Sequence, residues 1–447
     1  MISKLLRLDR RKLHTIVSRN TIKPSSPTPF HSKTYNLSLL DQIAINPYVP
    51  IVAIYPSSNA YQSSRDKTLE LKNSLSKVLT HYYPFAGRMK KIGPTFIDCN
   101  DEGVEFIEAC NTSTLSGFLQ QSEHEDLDQL FPDDRIWFKK NIKSSNDDEK
   151  SINVCPLSVQ VNHFTCGGVA VATSLHHTIG DGNSALNFIK HWAAVTSHSR
   201  DVTSPIINPH FISYQPTTVK LPKSDQYIPP NDVVSKSFVF SNMKIKELQT
   251  KVATMTMNTK QPIINPTRAA VVSWLLHKCV VAATRRISGN VIKTSVIMLI
   301  NLRNKLKEPL PATSIGNLTF PISNHHGDVM PDDFINQLRK EKLKFQNIRN
   351  LETALGTVAD MISDTFILGT TRSMDTSYFY SIICGFFMYD IDFGWGKPIK
   401  VAVGGAFKNL SILMDASDGN GIEALVSLNK QDIKIVANDP ELLAIGY

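Results

Sequence analysis

The feature that most constrains the fold is the stretch from Leu157 to Thr196, in which two strand patterns lead into a helix pattern. Leu157, Val159 and Val161 alternate with polar residues, which is the period of a half-buried strand. Two glycines then supply a turn into a second apolar run that ends at Leu175. Downstream, apolar residues recur at helical spacing: Ala185, Phe188, Ile189, Trp192, Ala193 and Thr196. The pattern predicts a β-hairpin followed by a short loop and a helix.

The predicted loop reads His-His-Thr-Ile-Gly-Asp-Gly and begins at His176. A neutral imidazole accepts protons near physiological pH, and a nearby carboxylate can fix its tautomer or the loop around it. Loops between rigid elements often present reactive side chains. We therefore predict His177 and Asp181 as a catalytic pair, with Asp181 or Asn183 as the helix cap. The spacing alone leaves a purely structural histidine open, because a glycine turn need not follow helical geometry.

A second motif, Asp-Phe-Gly-Trp-Gly at residues 392–396, lies near the other end of the chain. Together with the early His-x-x-x-Asp-Gly motif, it resembles the signature pair of the BAHD family of plant acyl-CoA-dependent acyltransferases. The resemblance extends over nearly the whole chain from about Ile22, and it is strongest to alkaloid acetyltransferases of the vinorine synthase type. Four further segments carry it: residues 23–29, 74–88, 301–303 and 315–317.

The resemblance implies an α/β fold of two chloramphenicol acetyltransferase-like domains with a channel between them. The length agrees, because 447 residues exceed one ordinary core. A proline-rich stretch at 204–230 reads as an interdomain crossover. We place the first domain at 1–206, the linker at 207–230 and the second domain, with the late motif, at 231–447. Helix patterns at 66–83, 267–283 and 334–361 fit this scheme.

The resemblance also implies roles for other residues. Arg303 would form an inward-held ion pair with Asp181 that shapes the loop. Asn317 would lie near the reacting carbonyl, where its amide N–H helps to hold the oxyanion. The late motif is predicted to be a structural loop packed by its aromatic side chains around two glycines. Its predicted structural residues are Asp392, Gly394, Trp395 and Gly396.

The predicted reaction is transfer of acetyl or another short acyl group from acyl-CoA, a co-substrate, to a hydroxyl of a plant specialised metabolite. The acceptor would be an alkaloid, a terpenoid or a sugar derivative. His177 would remove the hydroxyl proton, and transfer would be direct, because no serine or cysteine has a partnered base in the sequence. No permanently bound cofactor and no metal ion are predicted.

Two segments depart from the family pattern. Ile-Ile-Cys-Gly at 382–385 stands where relatives commonly have Ser-Trp-x-Arg, which bears on substrate selectivity. Residues 313–318 lack the Tyr-Phe-Gly-Asn-Cys stretch of the anthocyanin malonyltransferases, which disfavours malonylation of flavonoid glycosides.

Two alternatives stay open. The histidine doublet also resembles the condensation domain of peptide synthetases, which accepts carrier-bound thioesters, although no carrier region accompanies it. The other alternative is a catalytically silent ligand-binding homologue.

Composition sets further limits. Residues 1–33 hold eight Lys/Arg and one acid, so they account for +7 of the net charge of +8, and the nearly neutral body argues against a nucleic-acid partner. No apolar run approaches the ~20 residues that cross a bilayer. Six scattered cysteines without a Cys-x-x-Cys pair favour reduced thiols, and we predict a cytoplasmic monomer. The basic residues 1–20 resemble an organelle transit peptide, but they are short and hold only two serines.

Overall fold

The computed structural model describes residues 14–44, 48–57, 63–90, 95–121, 124–132, 135–136, 153–200, 203–207, 232–290, 293–326, 329–351 and 376–446. These residues form two six-stranded mixed sheets, each covered by helices. The fold class is therefore α/β, as predicted.

The strands of the first sheet, in chain order, are β1 (His14–Ile22), β3 (Tyr48–Tyr55), β6 (Val104–Asn111), β8 (Leu157–Phe164), β9 (Val169–His176) and β14 (Lys400–Val403). Those of the second are β10 (Val233–Phe240), β11 (Thr294–Asn301), β12 (Thr319–His326), β13 (Ser377–Ile382), β15 (Leu410–Asp415) and β16 (Ile422–Asn429). Two small two-stranded sheets pair β2 (Thr34–Asn36) with β5 (Phe96–Asp98) and β4 (Met89–Lys90) with β7 (Asn153–Val154). The spatial orders are β1-β6-β8-β9-β3-β14 and β10-β16-β15-β13-β11-β12.

The helices are α1 (Leu39–Ile43), α2 (Ser64–His81), α3 (Leu115–Gln121), α4 (Gly182–Thr196), α5 (Asn242–Thr256), α6 (Arg268–Ser288), α7 (Pro331–Gln346), α8 (Lys430–Val436) and α9 (Pro440–Ile445). Helices α2 and α4 pack on one face of the first sheet, where Trp192 Nε1 of α4 donates to Ser74 Oγ of α2 at 3.0 Å. The second sheet packs against α5, α6 and α7.

The predicted hairpin is present as β8 and β9, but it is buried on both faces rather than half-buried. Its second face is covered by α3 and by a 3-10 helix at His124–Leu130. Two polar side chains of β8 are hydrogen-bonded to this covering layer: Gln160 Nε2 donates to the carbonyl of Gln129 at 3.2 Å, and Asn162 Nδ2 donates to that of Leu130 at 2.9 Å. Alternation along β8 thus marks a strand with a polar but covered face.

One predicted helix is longer than the observed one. The pattern at 334–361 predicts a single helix, whereas α7 ends at Gln346. The chain turns there because the carbonyls of Ile348 and Arg349 accept hydrogen bonds from the backbone of Lys307 and Glu308, at 3.0 and 2.9 Å. Residues 352–361 of the prediction lie outside the described part of the chain.

The late motif crosses between the two halves. Strand β14, which follows it, pairs with β3 of the first sheet, and Ile391, Phe393 and Trp395 are buried in the first core. The simple division at 231 therefore does not hold for this segment. The domain boundaries otherwise stay a prediction, since residues 208–230 of the predicted linker lie outside the described residues.

The basic N-terminal stretch is partly inside the fold. Residues 14–22 form β1 and pair with β6, while residues 1–13 lie outside the described range.

All six cysteines are free thiols. Among the residues that the structure describes, every helix is too short or too polar to span a bilayer.

Candidate active site

The histidine doublet lies where β9 ends and α4 begins. His176 is the last residue of β9, and a single 3-10 turn at His177–Ile179 leads to Asp181, whose side chain caps α4 by accepting the backbone N–H of Ser184 at 3.0 Å. Gly180 allows this tight connection, because a Cβ there would lie 2.6 Å from Ser184 Cβ. The loop is therefore fixed at both ends by hydrogen-bonded elements.

The two imidazoles have different surroundings. His176 is 6% exposed, packs edge-on against Tyr48 with ring centres 5.0 Å apart, and accepts the N–H of Thr178 through Nδ1 at 3.4 Å. Burial lowers the pKa of His176 to about 3, so the ring stays neutral and fixed. His177 is only partly buried. His177 is therefore the more exposed of the two residues.

Asn317 determines the tautomer of His177. Its amide nitrogen Nδ2 donates to Asp41 Oδ1 at 2.9 Å and to the carbonyl of His177 at 2.7 Å, so its oxygen Oδ1 faces His177 Nδ1 at 2.9 Å. Because an amide oxygen only accepts, Nδ1 must carry the proton. The lone pair of the neutral ring is then on Nε2, which is the atom that can accept a proton from a substrate.

The surrounding protein lowers the pKa of His177 below its ordinary value, chiefly through burial, while the charges of Asp181 and Asp41 and the bond to Asn317 oppose the shift. The ring is therefore a neutral acceptor at physiological pH.

Asp181 and Arg303 form a buried ion pair between the two halves of the chain. Arg303 Nη1 lies 2.8 Å from Asp181 Oδ2, and the two side chains are 3% and 2% exposed. The carboxylate also accepts from the backbone of Leu318 at 3.0 Å and from Ser184 Oγ at 3.0 Å. Burial alone would raise the pKa of Asp181, but the Arg303 charge and these donors hold it below its ordinary value.

The geometry bears on two of the predicted roles. Among the described hydrogen bonds, none joins the Asp181 carboxylate to the His177 ring; the carboxylate instead contacts Arg303, Ser184 and Leu318, in line with the expected pair that shapes the loop. Asn317 was predicted to donate to an oxyanion, but both hydrogens of its amide are directed at Asp41 and the His177 carbonyl. Its amide contacts the His177 ring through Oδ1 at 2.9 Å.

Two residues of this network were missing from the sequence prediction. Ser184 Oγ lies 3.0 Å from the Gly316 carbonyl oxygen and 3.1 Å from the Gly316 backbone nitrogen, so the α4 start is joined to the loop that carries Asn317. Asp41 anchors Asn317. The only sequence signal for Asp41 is Ser-x-x-Asp at residues 38–41, which indicates a helix start and says nothing of a distant asparagine.

The late motif, residues 392–396, packs against α4. Asp392 Oδ1 accepts the N–H groups of Gly394 and Gly396 at 2.7 and 2.9 Å, and both glycines have positive φ, which closes the loop on itself. Phe393 packs edge-on against Trp192 of α4 at 5.0 Å, and Trp395 packs against Tyr55 at 5.4 Å. These contacts are those of a packing element next to the helix that follows the histidines.

The departure at 382–385 lies against the catalytic loop. A Cβ on Gly182 would lie 3.9 Å from Ile383 Cγ2, so Ile383 contacts the first residue of α4. The next turn is fixed by Gly385, whose N–H donates to Asp415 Oδ2 at 2.8 Å. The segment that replaces Ser-Trp-x-Arg is therefore next to the proposed reaction centre.

Within the described residues, no group of three His, Cys, Asp or Glu side chains could hold a metal ion.

The fold is similar to that of a solved acyltransferase. The crystal structure of vinorine synthase covers 97% of this chain and 98% of its own, with a TM-score of 0.80 and 29% sequence identity. The match over nearly the full length of both chains assigns this fold to the class of vinorine synthase-like acyltransferases.

The model of the Transferase family matches residues 13–443. The chain therefore belongs to this family, that of the BAHD acyltransferases, and it is an acyltransferase.

Named relatives cover almost the whole chain. Akuammiline synthase 1 of Alstonia scholaris is 34% identical over 440 residues, which are 96% of this chain and 97% of the relative. A 17,18-epoxy-17-hydroxycur-19-ene N-malonyltransferase of Strychnos nux-vomica is 33% identical, over 96% and 90% of the two chains. Stemmadenine O-acetyltransferase of Catharanthus roseus is 30% identical, over 95% and 96%.

Proposed function

We propose that this protein transfers a short acyl group, most simply acetyl, from acyl-CoA to a hydroxyl of a plant specialised metabolite of the alkaloid, terpenoid or sugar-derivative class. The observation that carries the proposal is the bond between His177 Nδ1 and Asn317 Oδ1, because it leaves Nε2 as the proton acceptor at the junction of the two halves. Relatives named for alkaloid acyl transfer support the substrate class.

The proposed transfer is direct. Nε2 of His177 takes the proton of the acceptor hydroxyl while its oxygen attacks the thioester carbonyl of acyl-CoA. The tetrahedral intermediate expels the CoA thiolate, which takes the proton back from the imidazolium, so the ring ends neutral. Acyl-CoA would enter one end of the predicted channel and the alcohol the other.

A covalent acyl-enzyme is not part of the proposal. Cys384 is the cysteine in the segment that contacts Gly182, but burial raises its pKa to about 12, so the thiol stays protonated and weakly nucleophilic. The transfer needs no resident cofactor, because acyl-CoA is a substrate. A cytoplasmic location and a monomeric state stay predictions.

The alternatives differ in their substrates. The N-malonyltransferase among the relatives makes malonyl-CoA and an amine acceptor the first alternatives to test. A condensation-type reaction would use carrier-bound thioesters, and family membership over residues 13–443 favours free acyl-CoA. A catalytically silent ligand-binding homologue would not require the hydrogen bonds that orient the His177 ring.

The deciding experiment incubates the purified protein with acetyl-CoA or malonyl-CoA and a pool of plant alcohols and amines. Released CoA thiol and the mass gain of the product are measured together. We expect acceptor-dependent thiol release and a gain of one acetyl group on a hydroxyl. Thiol release from neither CoA ester, with acyl transfer only from a carrier-bound thioester or not at all, would contradict the proposal.

The pH profile gives an independent prediction. The general base must be neutral, and the pKa of His177 is lowered by burial from its ordinary value near 6.5. We therefore expect the acid limb of kcat/KM to be centred below pH 6.5. An acid limb centred at or above 6.5 in initial-rate measurements would contradict this assignment.

A further inference from the structure

We propose that Asp41 is a positioning residue for the acyl transfer, whose carboxylate holds the Asn317 amide in the one orientation that makes His177 Nε2 the proton acceptor. The proposal rests on the proposed function, because it concerns the same histidine. It adds a residue from the N-terminal segment to a site whose other members lie between residues 177 and 317.

Asp41 lies at the junction of the two hydrophobic cores. Tyr35 and Leu37, before α1, are buried in the first core, whereas Leu39 and Leu40, inside α1, are buried in the second. The side chain of Asp41 is 1% exposed. The chain therefore buries a carboxylate at the contact between the two halves, where it must be fully hydrogen-bonded.

The two oxygens of this carboxylate have different partners. Oδ2 accepts from the backbone N–H and the hydroxyl of Ser38, at 2.9 and 2.7 Å, which completes a capping box at the start of α1. Oδ1 accepts from the backbone N–H and the side-chain Nδ2 of Asn317, at 2.7 and 2.9 Å. The cap engages one oxygen, and the other is directed at a residue 276 positions away.

This second pair of bonds determines which way the Asn317 amide faces. If the amide turned over, its oxygen would meet Asp41 Oδ1 and the carbonyl of His177, both of which are acceptors. Its nitrogen would then donate to His177 Nδ1, the ring proton would move to Nε2, and the ring would have no lone pair for the substrate. The Asp41 carboxylate opposes this turned orientation, because it would repel the amide oxygen of Asn317. The negative charge of Asp41 also favours the imidazolium that forms on His177 during transfer.

The test is Asp41→Asn, which keeps the size of the side chain. The new amide cannot accept from both Ser38 and Asn317, so one donor faces another donor. We expect kcat to fall by about tenfold to a hundredfold, with KM for acyl-CoA and for the alcohol changed less than about threefold. The acid limb of kcat/KM should move to lower pH, because the Asp41 charge raises the pKa of His177 in the native protein.

The matched control is Asp66→Asn. Asp66 forms the same capping box with Ser63 at the start of α2, where its contacts are exposed. The substitution Asp66→Asn should leave kcat and the pH profile of kcat/KM unchanged. Equal kinetic effects of Asp41→Asn and Asp66→Asn would mean that Asp41 acts only as a helix-capping residue, and the proposal would be wrong.

Asn317→Ala breaks the same link from its other end and leaves the α1 cap intact, so it tests the proposal even if Asp41→Asn fails to fold. We expect a loss of kcat of similar size, and the losses of the two single variants should combine less than additively in the double variant. Unchanged kcat in Asn317→Ala, or additive losses in the double variant, would refute the link. If His177→Ala also kept full activity, the proposed function itself would fail, which separates the two claims.

Discussion

Replacement of His177 by alanine should lower kcat by about a hundredfold to ten-thousandfold, the range of a lost general base. The expected cause is loss of Nε2, the only atom of the orienting network that carries a lone pair for the substrate hydroxyl. We expect a smaller effect on stability than on turnover, because the residue is only partly buried. The measurement is steady-state turnover with the acyl-CoA and the acceptor identified in the screen, together with a thermal unfolding curve.

The neighbouring histidine is the matched control. His176→Ala removes a ring that is packed against Tyr48 and kept neutral by burial, so it should cost stability while the folded enzyme keeps turnover within about tenfold of the native value. Equal losses of kcat in the two variants would mean that the roles of the two rings have been assigned wrongly.

Replacement of Arg303 by methionine should lower the free energy of unfolding by about 3 to 5 kcal/mol, because Asp181 would be left charged and buried without its partner. The expected readout is a lower midpoint of urea unfolding. The pKa of Asp181 is held below its ordinary value, so its stabilising contribution is present at neutral pH and is lost as the pH falls through that lowered pKa. The difference between native and variant protein should therefore shrink in acid.

The control is Lys397→Met, which removes an ion pair with Asp390 whose side chains are 73% and 53% exposed. An exposed pair contributes less than about 1 kcal/mol, so the midpoint should barely move. The double variant Asp181→Asn with Arg303→Met should recover part of the lost stability, since no buried charge remains unpaired. An Arg303→Met variant as stable as Lys397→Met would contradict the account of the junction.

Local patterns predicted the elements around the site well. Strand alternation, two glycines and a helical apolar stripe located β8, β9 and α4, because each is decided by short-range geometry and by which face is apolar. Burial of the polar face of β8 could not be predicted, since it depends on the 3-10 helix that lies over Gln160 and Asn162. The end of α7 could not be predicted either, because it is determined by backbone pairing with residues 307–308.

The chemistry of the site was only partly visible in the sequence. The His-x-x-x-Asp spacing identified the loop, and the family resemblance brought Arg303 and Asn317 to it. Neither indicates that the Asn317 amide is turned toward Asp41 and the His177 carbonyl, because that orientation is decided by contacts across 276 and 140 residues of chain. Contacts of this kind arise only when the two halves fold against each other.

The central claim is that Nδ1 of neutral His177 carries the proton and Nε2 carries the lone pair. The most direct test is the imidazole 15N spectrum of the protein labelled at histidine, with the His177 signals assigned by their loss in His177→Ala. At pH 7.5 we predict a protonated Nδ1 and an unprotonated Nε2 for this ring. A His177 signal with the proton on Nε2 would contradict the account, because such a ring cannot deprotonate the acceptor.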